Sequence, residues 1–257
     1  MSPNRLRLDI EGRLATLRLT GAERNNAMDL AFVQQLDEAT EELARHCDAE
    51  DVDCLLIAAE GRHFSVGGDL SGFPSDPTEA TPYIRGMAEH AHRGMDRLHQ
   101  LSVPVVVRVQ GSVAGAGLGF VLGADMAIGA RSTTFTPAYT VVGLTPDAGV
   151  SWQLSRILGR RRALDWLLGN ERISAEEASA SGLLTRVVED QRLDEEVESL
   201  VTKILALPGE VTRENKRLLR QAELHDLTPH LAEEAEAIAH LAGRPYAIER
   251  IGTFLGR

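Results

Sequence analysis

Two glycine-rich segments hold the residues of this 257-residue chain best suited to chemistry. The first is Arg62-His63-Phe64-Ser65-Val66-Gly67-Gly68-Asp69-Leu70, directly after the apolar run Cys54 to Ala59. The second is Gln110-Gly111-Ser112-Val113-Ala114-Gly115-Ala116-Gly117-Leu118-Gly119, directly after Val103-Pro104-Val105-Val106-Val107-Arg108-Val109. In each, an apolar run breaks into glycines and then into a helical pattern. Such a turn leaves backbone N–H groups unpaired at a helix start, where they can hold negative charge. Two such turns facing one another would make an oxyanion hole.

Other glycine-loop chemistries do not fit. Gly115 to Gly119 reads G-x-G-x-G, no window gives G-x-G-x-x-G, and no P-loop lysine or G-x-S-x-G elbow occurs. The histidines and carboxylates show no H-E-x-x-H spacing, so no metal is expected.

Together with three further pieces in the right order, the glycine segments resemble the crotonase, or enoyl-CoA hydratase/isomerase, superfamily. These are Arg24-Asn25-Asn26-Ala27-Met28, the stretch Phe135-Thr136-Pro137-Ala138-Tyr139 with Val142 to Gly149, and a C-terminal helix carrying Glu249, Ile251 and Phe254. The resemblance spans nearly the whole chain. It implies an α/β fold, a spiral of ββα turns over residues 1–190 that binds acyl-CoA. A C-terminal helical region, 191–257, would support trimer formation. It also implies an enzyme acting on an acyl-CoA thioester as a homotrimer or dimer of trimers. Coenzyme A would then be part of the substrate, with no separate cofactor.

By the resemblance, the oxyanion donors fall on the N–H groups of Gly68 and Ala116. Backbone donors need no particular side chain, only small residues that let the thioester approach. A hydratase of this family uses two glutamates, and their positions here are Gly119 and Tyr139. Neither supplies a carboxylate, so ordinary hydration should be feeble. One acid remains close by, Asp147 in Thr145-Pro146-Asp147-Ala148-Gly149. Members that shift double bonds or rearrange thioesters can carry an acid there, and a proton shuttle needs one placed base plus the oxyanion hole. Asp147 could equally be only a helix N-cap before Val150 to Leu158.

The resemblance also places coenzyme A along Ser65, Val66, Asp69 and Leu70, with His63 flanking the adenine and Arg24 near the phosphates. Lys216 and Phe254 would complete a neighbour's pocket. Gly119 and Tyr139 would wall the acyl site, and Asp69 reads as a structural cap. His92 and His99, seven apart, share a helix face, which reads as solvated. The function expected is an isomerase with Asp147 as its base. The alternatives are an acyl-CoA-binding protein without catalysis and a hydratase with an unorthodox base.

The bulk properties agree with such a protein. Hydrophobic content of 43% and charged content of 25% suit a globular chain. A formal net charge of −11 argues against nucleic acid, which needs a basic face. Cys47 and Cys54 read as small buried residues. No secretory signal or membrane span is apparent, so the cytoplasm is the expected compartment.

The elements that must position these residues follow from periodicity. Leu6 to Ile10 and Leu14 to Leu19 form a hairpin around Glu11-Gly12. Helices are expected over Asp29 to Cys47 and Tyr83 to Leu101, with a proline-marked loop from Ser71 to Thr81. Strands are expected over Asp53 to Ala59, Val103 to Val109, Ala124 to Ala130 and Thr185 to Val188. Beyond Gly149 the pattern is helix upon helix.

Overall fold

A computed structural model describes residues 4–257. Strands β1 (Leu6–Glu11) and β2 (Leu14–Leu19) form the expected antiparallel hairpin, with Leu6 opposite Leu19. Parallel strands β3 (Cys54–Ala59), β4 (Val105–Val109), β6 (Met126–Ala130) and β9 (Arg186–Val188) extend it to a six-stranded sheet, ordered β1-β2-β3-β4-β6-β9. A second sheet joins β5 (Ser112–Ala114), β7 (Thr134–Thr136) and β8 (Ile173–Ser174). Periodicity did not separate this sheet, because strands of two or three residues carry almost no alternation.

The central parallel strands β3, β4 and β6 are buried on both faces, as parallel strands are. Strand β4 shows the division: Val105, Val107 and Val109 face the main core, whereas Val106 faces the opposite side. The main core includes Phe32, Leu36 and Leu43 of helix α1 (Leu30–Asp48) and Met87, Ala91 and Leu98 of helix α2 (Pro77–Gln100). Asp29 caps α1 by accepting from the Phe32 N–H at 2.9 Å. On the opposite face, Val106 and Ile128 meet Val197, Val201 and Ile204 of α7 (Leu193–Leu205). The expected division at residue 190 thus falls just before a helix that itself packs on the sheet.

Short helices α3 (Gly117–Gly123), α4 (Val150–Ile157), α5 (Gly159–Gly169) and α6 (Ala175–Ala180) complete the core. Helices α8 (Gly209–Ala222), α9 (Leu227–Ala242) and α10 (Pro245–Phe254) follow. They expose apolar side chains, among them Leu219, Ile238, Ile248 and Phe254.

One boundary differs clearly from the sequence reading. Helix α2 begins at Pro77, inside the expected loop, because Asp76 caps it by accepting from the Thr78 N–H at 2.8 Å. Proline is favoured at the first helical position. Pro82 lies inside the helix, lacking only the N–H that would have reached back one turn.

Both cysteines are buried, and burial pushes their thiols up, to about 11 for Cys47 and about 12 for Cys54.

Candidate active site

The Arg24 to Met28 motif forms a bracket that fixes the first glycine segment. Asn25 and Asn26 both adopt left-handed backbone, at φ +55° and +54°, a region asparagine tolerates. Asn26 Nδ2 donates to the carbonyls of Glu60 and His63, both at 2.9 Å. The Met28 N–H donates to the Gly67 carbonyl, and the Asp69 N–H to the Met28 carbonyl. Buried Ser65 closes the bracket. Its hydroxyl donates to the Asn26 carbonyl at 2.9 Å and accepts from the Gly67 N–H at 3.2 Å.

The second glycine segment lies directly against this bracket. The Ala114 N–H donates to the Ser65 carbonyl, and the Phe64 N–H to the Gln110 carbonyl. Gly67, at φ +88°, sits so close to the second turn that a Cβ there would stand 2.8 Å from the Ala114 carbonyl oxygen and 3.2 Å from the Ala116 nitrogen. The turns containing Gly68 and Ala116 therefore meet. Every neighbouring N–H of the first turn is bonded within the protein, while those of Gly68 and Ala116 have no protein acceptor among the described residues. Two unspent donors on adjoining turns can receive the oxygen of a polarised carbonyl.

Both turns open onto an apolar chamber of about 500 Å³. Met28, Phe73, Tyr83, Met87, Val142 and Leu144 give it its hydrophobic character. Val66, Gly68, Asp69, Leu70, Ala116, Tyr139 and Asp147 also line it, so the structure brings these expected site residues together. His92 lines it too. The His92/His99 face of α2 thus turns toward the protein, not simply toward solvent. His99 packs edge-on against Trp152 at 5.0 Å, and His92 Nε2 accepts from the Ala148 N–H at 3.3 Å. Heptad spacing on α2 did place these residues on one face; what it could not tell was which way the face turned.

The Asp147 side chain does not cap α4. The turn is closed by its backbone, whose carbonyl accepts from the Val150 N–H at 2.9 Å. Its carboxylate is left to accept from the Tyr139 hydroxyl, with Oδ1 at 2.8 Å. Burial, then the Asp147 charge and this hydrogen bond, raise the Tyr139 pKa, so the phenol stays protonated and acts as a donor. Tyr139 is thus both a buried wall and a positioner of the acid.

Gly119 is enclosed rather than vacant. A Cβ at this position would stand 2.5 Å from the Ala148 carbonyl oxygen and 3.0 Å from the Ala148 Cβ. The turn that carries Asp147 fills the space a longer side chain at 119 would need.

The remaining expected residues lie outside the chamber lining. Arg24 is held by Asp69 and by Asp29 (3.1 Å), with Ser71 Oγ at 3.1 Å. Asp69 caps a short turn by accepting from the Ser71 N–H at 2.9 Å, as its reading as a cap requires. His63 Nδ1 accepts from the Ser112 N–H at 3.0 Å, which ties one glycine segment to the other. Lys216 is nearly buried, and its ammonium donates to the Val103 carbonyl (2.8 Å) and Asp125 (2.7 Å). Burial lowers the Lys216 pKa, an effect that Asp125 opposes. Phe254, on α10, is 90% exposed in the single chain.

Among the described residues, no helix is long and apolar enough to cross a membrane.

Comparison with known proteins places this geometry. A family model described as enoyl-CoA hydratase/isomerase matches residues 9–244. The 1,2-epoxyphenylacetyl-CoA isomerase of Escherichia coli K12 is 34% identical, over 91% of this chain and 88% of that one. The 4-chlorobenzoyl coenzyme A dehalogenase-2 of Arthrobacter sp is 30% identical, over 94% of this chain and 87% of that one. A Thermobifida fusca YX protein solved in complex with CoA superposes with a TM-score of 0.83 at 30% identity, covering 93% of each chain.

Proposed function

The chain belongs to the enoyl-CoA hydratase/isomerase family, and from that membership we propose that it isomerises the acyl group of an acyl-CoA thioester, with Asp147 as the proton carrier. One observation carries the reading: Tyr139 holds the Asp147 carboxylate at the apolar chamber, whose other acid, Asp69, is engaged by Arg24 and the Ser71 N–H, while position 119 has no room for a further one.

The chemistry follows from the parts. The thioester carbonyl docks on the Gly68 and Ala116 N–H groups, which stabilise the enolate oxygen as charge develops. Ionised Asp147 removes a proton from carbon and returns it elsewhere on the same acyl group. The hydrogen bond from Tyr139 keeps the carboxylate in one orientation between the two transfers. An apolar chamber strengthens the oxyanion contacts. A double-bond shift and a ring rearrangement both fit this scheme, and the Escherichia coli relative's name supports the second.

Displacement of a ring halide is a second reading, favoured by His92. A carboxylate and an imidazole lining one chamber could attack an activated ring and then activate water, and the Arthrobacter relative's name supports that substrate class. Hydration through an unorthodox base and binding without turnover are the remaining alternatives.

Coenzyme A contacts from Arg24, His63, Ser65 and the Val66 to Leu70 turn, and from a neighbour's Lys216 and Phe254, belong to the same proposal. So does a homotrimer or dimer of trimers, which the apolar side chains exposed on α8 to α10 support. The cytoplasm is the proposed compartment.

The test is conversion of 3-enoyl-CoA to conjugated 2-enoyl-CoA, followed by absorbance, in wild type and Asp147→Asn. Conversion lost in the variant supports the isomerase. Full turnover in Asp147→Asn sinks it. If neither protein acts, epoxy and halo-aryl thioesters decide between the ring chemistries and binding alone.

A further inference from the structure

We propose that His225, His230 and Glu233 form a zinc-class cation site that clips the α8–α9 turn. The three lie in one stretch, His225-Asp226-Leu227-Thr228-Pro229-His230-Leu231-Ala232-Glu233-Glu234. Its spacing matches no familiar zinc signature, so the sequence raised no metal expectation. Helix α9 starts at Leu227, so His230 and Glu233 lie three apart on one helical face, and His225 reaches them from the preceding turn. One ligand atom from each of the three lies within 4.8 Å of the others.

His225 Nδ1 is 2.9 Å from Glu233 Oε1, an ion pair by itself unremarkable at a surface. His230 is what points to a ligand. The residue is 8% exposed, and its Nδ1 is buried without any hydrogen-bond partner. A buried polar atom left unpaired is destabilising unless something outside the chain engages it. Its other nitrogen, Nε2, lies 3.4 Å from Glu234 Oε1. Nδ1, which no protein group engages, is the nitrogen left to offer a lone pair.

The donor set selects the ion. Two imidazoles and one carboxylate suit zinc, whereas calcium and magnesium need mostly oxygen ligands. Arg217 Nη1 lies 3.3 Å from Glu233 Oε2, which engages the oxygen not facing His225. The donors must close from their present spacing to bonds of about 2.0–2.2 Å. His225, exposed in the turn between α8 and α9, is placed to move. None of the three lines the acyl chamber, so the site acts on the C-terminal helices and not on the reaction. In the single chain α8 buries only Thr212, and α9 only His230 and Ala237, so a clip here reinforces a thin contact.

The test uses tag-free, chelator-stripped full-length protein titrated with zinc chloride by calorimetry. Cobalt absorption reports the coordination geometry. Wild type should bind one ion per chain and melt at a higher temperature with it. His225→Gln and Glu233→Gln change partly exposed side chains, so they should fold, as circular dichroism will verify. Each should bind at least about tenfold more weakly, the loss that even an outer ligand partner produces. Absence of binding by wild type overturns the proposal. So does binding of equal strength in both variants, which would place the ion elsewhere.

Discussion

The Tyr139 hydroxyl donates to Asp147 Oδ1 at 2.8 Å, and each residue adjoins an alanine in left-handed backbone, Ala138 at φ +62° and Ala148 at φ +49°. Non-glycine residues in that region cost roughly 1–3 kcal/mol each and persist only where surrounding contacts impose them. Both alanines are held. The Ala138 N–H donates to Asn170 Oδ1 at 2.7 Å, and the Ala148 N–H to His92 Nε2 at 3.3 Å. The acid is therefore positioned by a pair of strained turns and a phenol, not by the cap geometry its sequence context suggests.

Removing the acid and removing its positioner should have different signatures. Asp147→Asn keeps the shape and an acceptor for Tyr139 but no base, so turnover should fall about 10²–10⁴-fold, the usual contribution of a general base. Tyr139→Phe should retain part of the turnover. The base is still present there but no longer held in one orientation. Steady-state kinetics distinguishes the two. Unchanged turnover in Tyr139→Phe would mean the phenol is only a wall.

The oxyanion turn should fail at Gly67 before any side chain is touched. An alanine there meets the Ala114 carbonyl oxygen at 2.8 Å in a backbone region, φ +88°, that disfavours side chains. The turn must shift, and the Gly68 and Ala116 donors separate. Gly67→Ala should lower kcat about 10²–10³-fold, as loss of one such donor does. Near-normal kcat would show that the donors lie elsewhere.

Restoring a glutamate at 119 should not create a hydratase. Its Cβ alone would come within 2.5 Å of the Ala148 carbonyl oxygen. Overpacking of this kind typically costs about 1–3 kcal/mol. Gly119→Glu should therefore melt at lower temperature, lose isomerase turnover as the Asp147 turn moves, and gain no hydration of 2-enoyl-CoA. Appreciable hydration with an unchanged melting temperature would contradict this reading of position 119.

The sequence exposed the fold readily because its elements advertise themselves. The continuous valine run of β4 and the spaced apolar residues of α1 leave little choice of structure. The meeting of the two glycine turns was legible for a related reason, since their contact resides in the backbone and needs only glycine and small residues in order. Side-chain direction was less accessible. Nothing in Thr145 to Gly149 says that Asp147 closes its turn by its carbonyl and gives its carboxylate to Tyr139. Nor does heptad spacing say that His92 meets Ala148 across the chamber wall. The second fact depends on tertiary packing between segments more than fifty residues apart, and the first on the path of the turn between Tyr139 and Asp147.

Acid should loosen the C-terminal helices through Glu210. On α8, this carboxylate accepts from Arg244, from His240 at 2.8 Å and from Tyr246 at 3.2 Å, so it joins α8 to the helices that follow. The Arg244 hydrogen bond, with lesser help from His240 and Tyr246 and against the push of burial, holds its pKa down from 4.5 to about 2. A depressed folded-state pKa contributes stability that is present above the unfolded value, near 4.5, and is lost as pH falls toward about 2. The side chain is partly exposed, so the effect is modest and weakens with salt. In Glu210→Gln this contribution is absent at every pH. The difference in melting temperature between wild type and Glu210→Gln should therefore be full at pH 6, shrink steadily below pH 4.5, and be smaller at high ionic strength. A difference that stays constant from pH 6 to about pH 2.5 would show that Glu210 contributes by packing and not by charge.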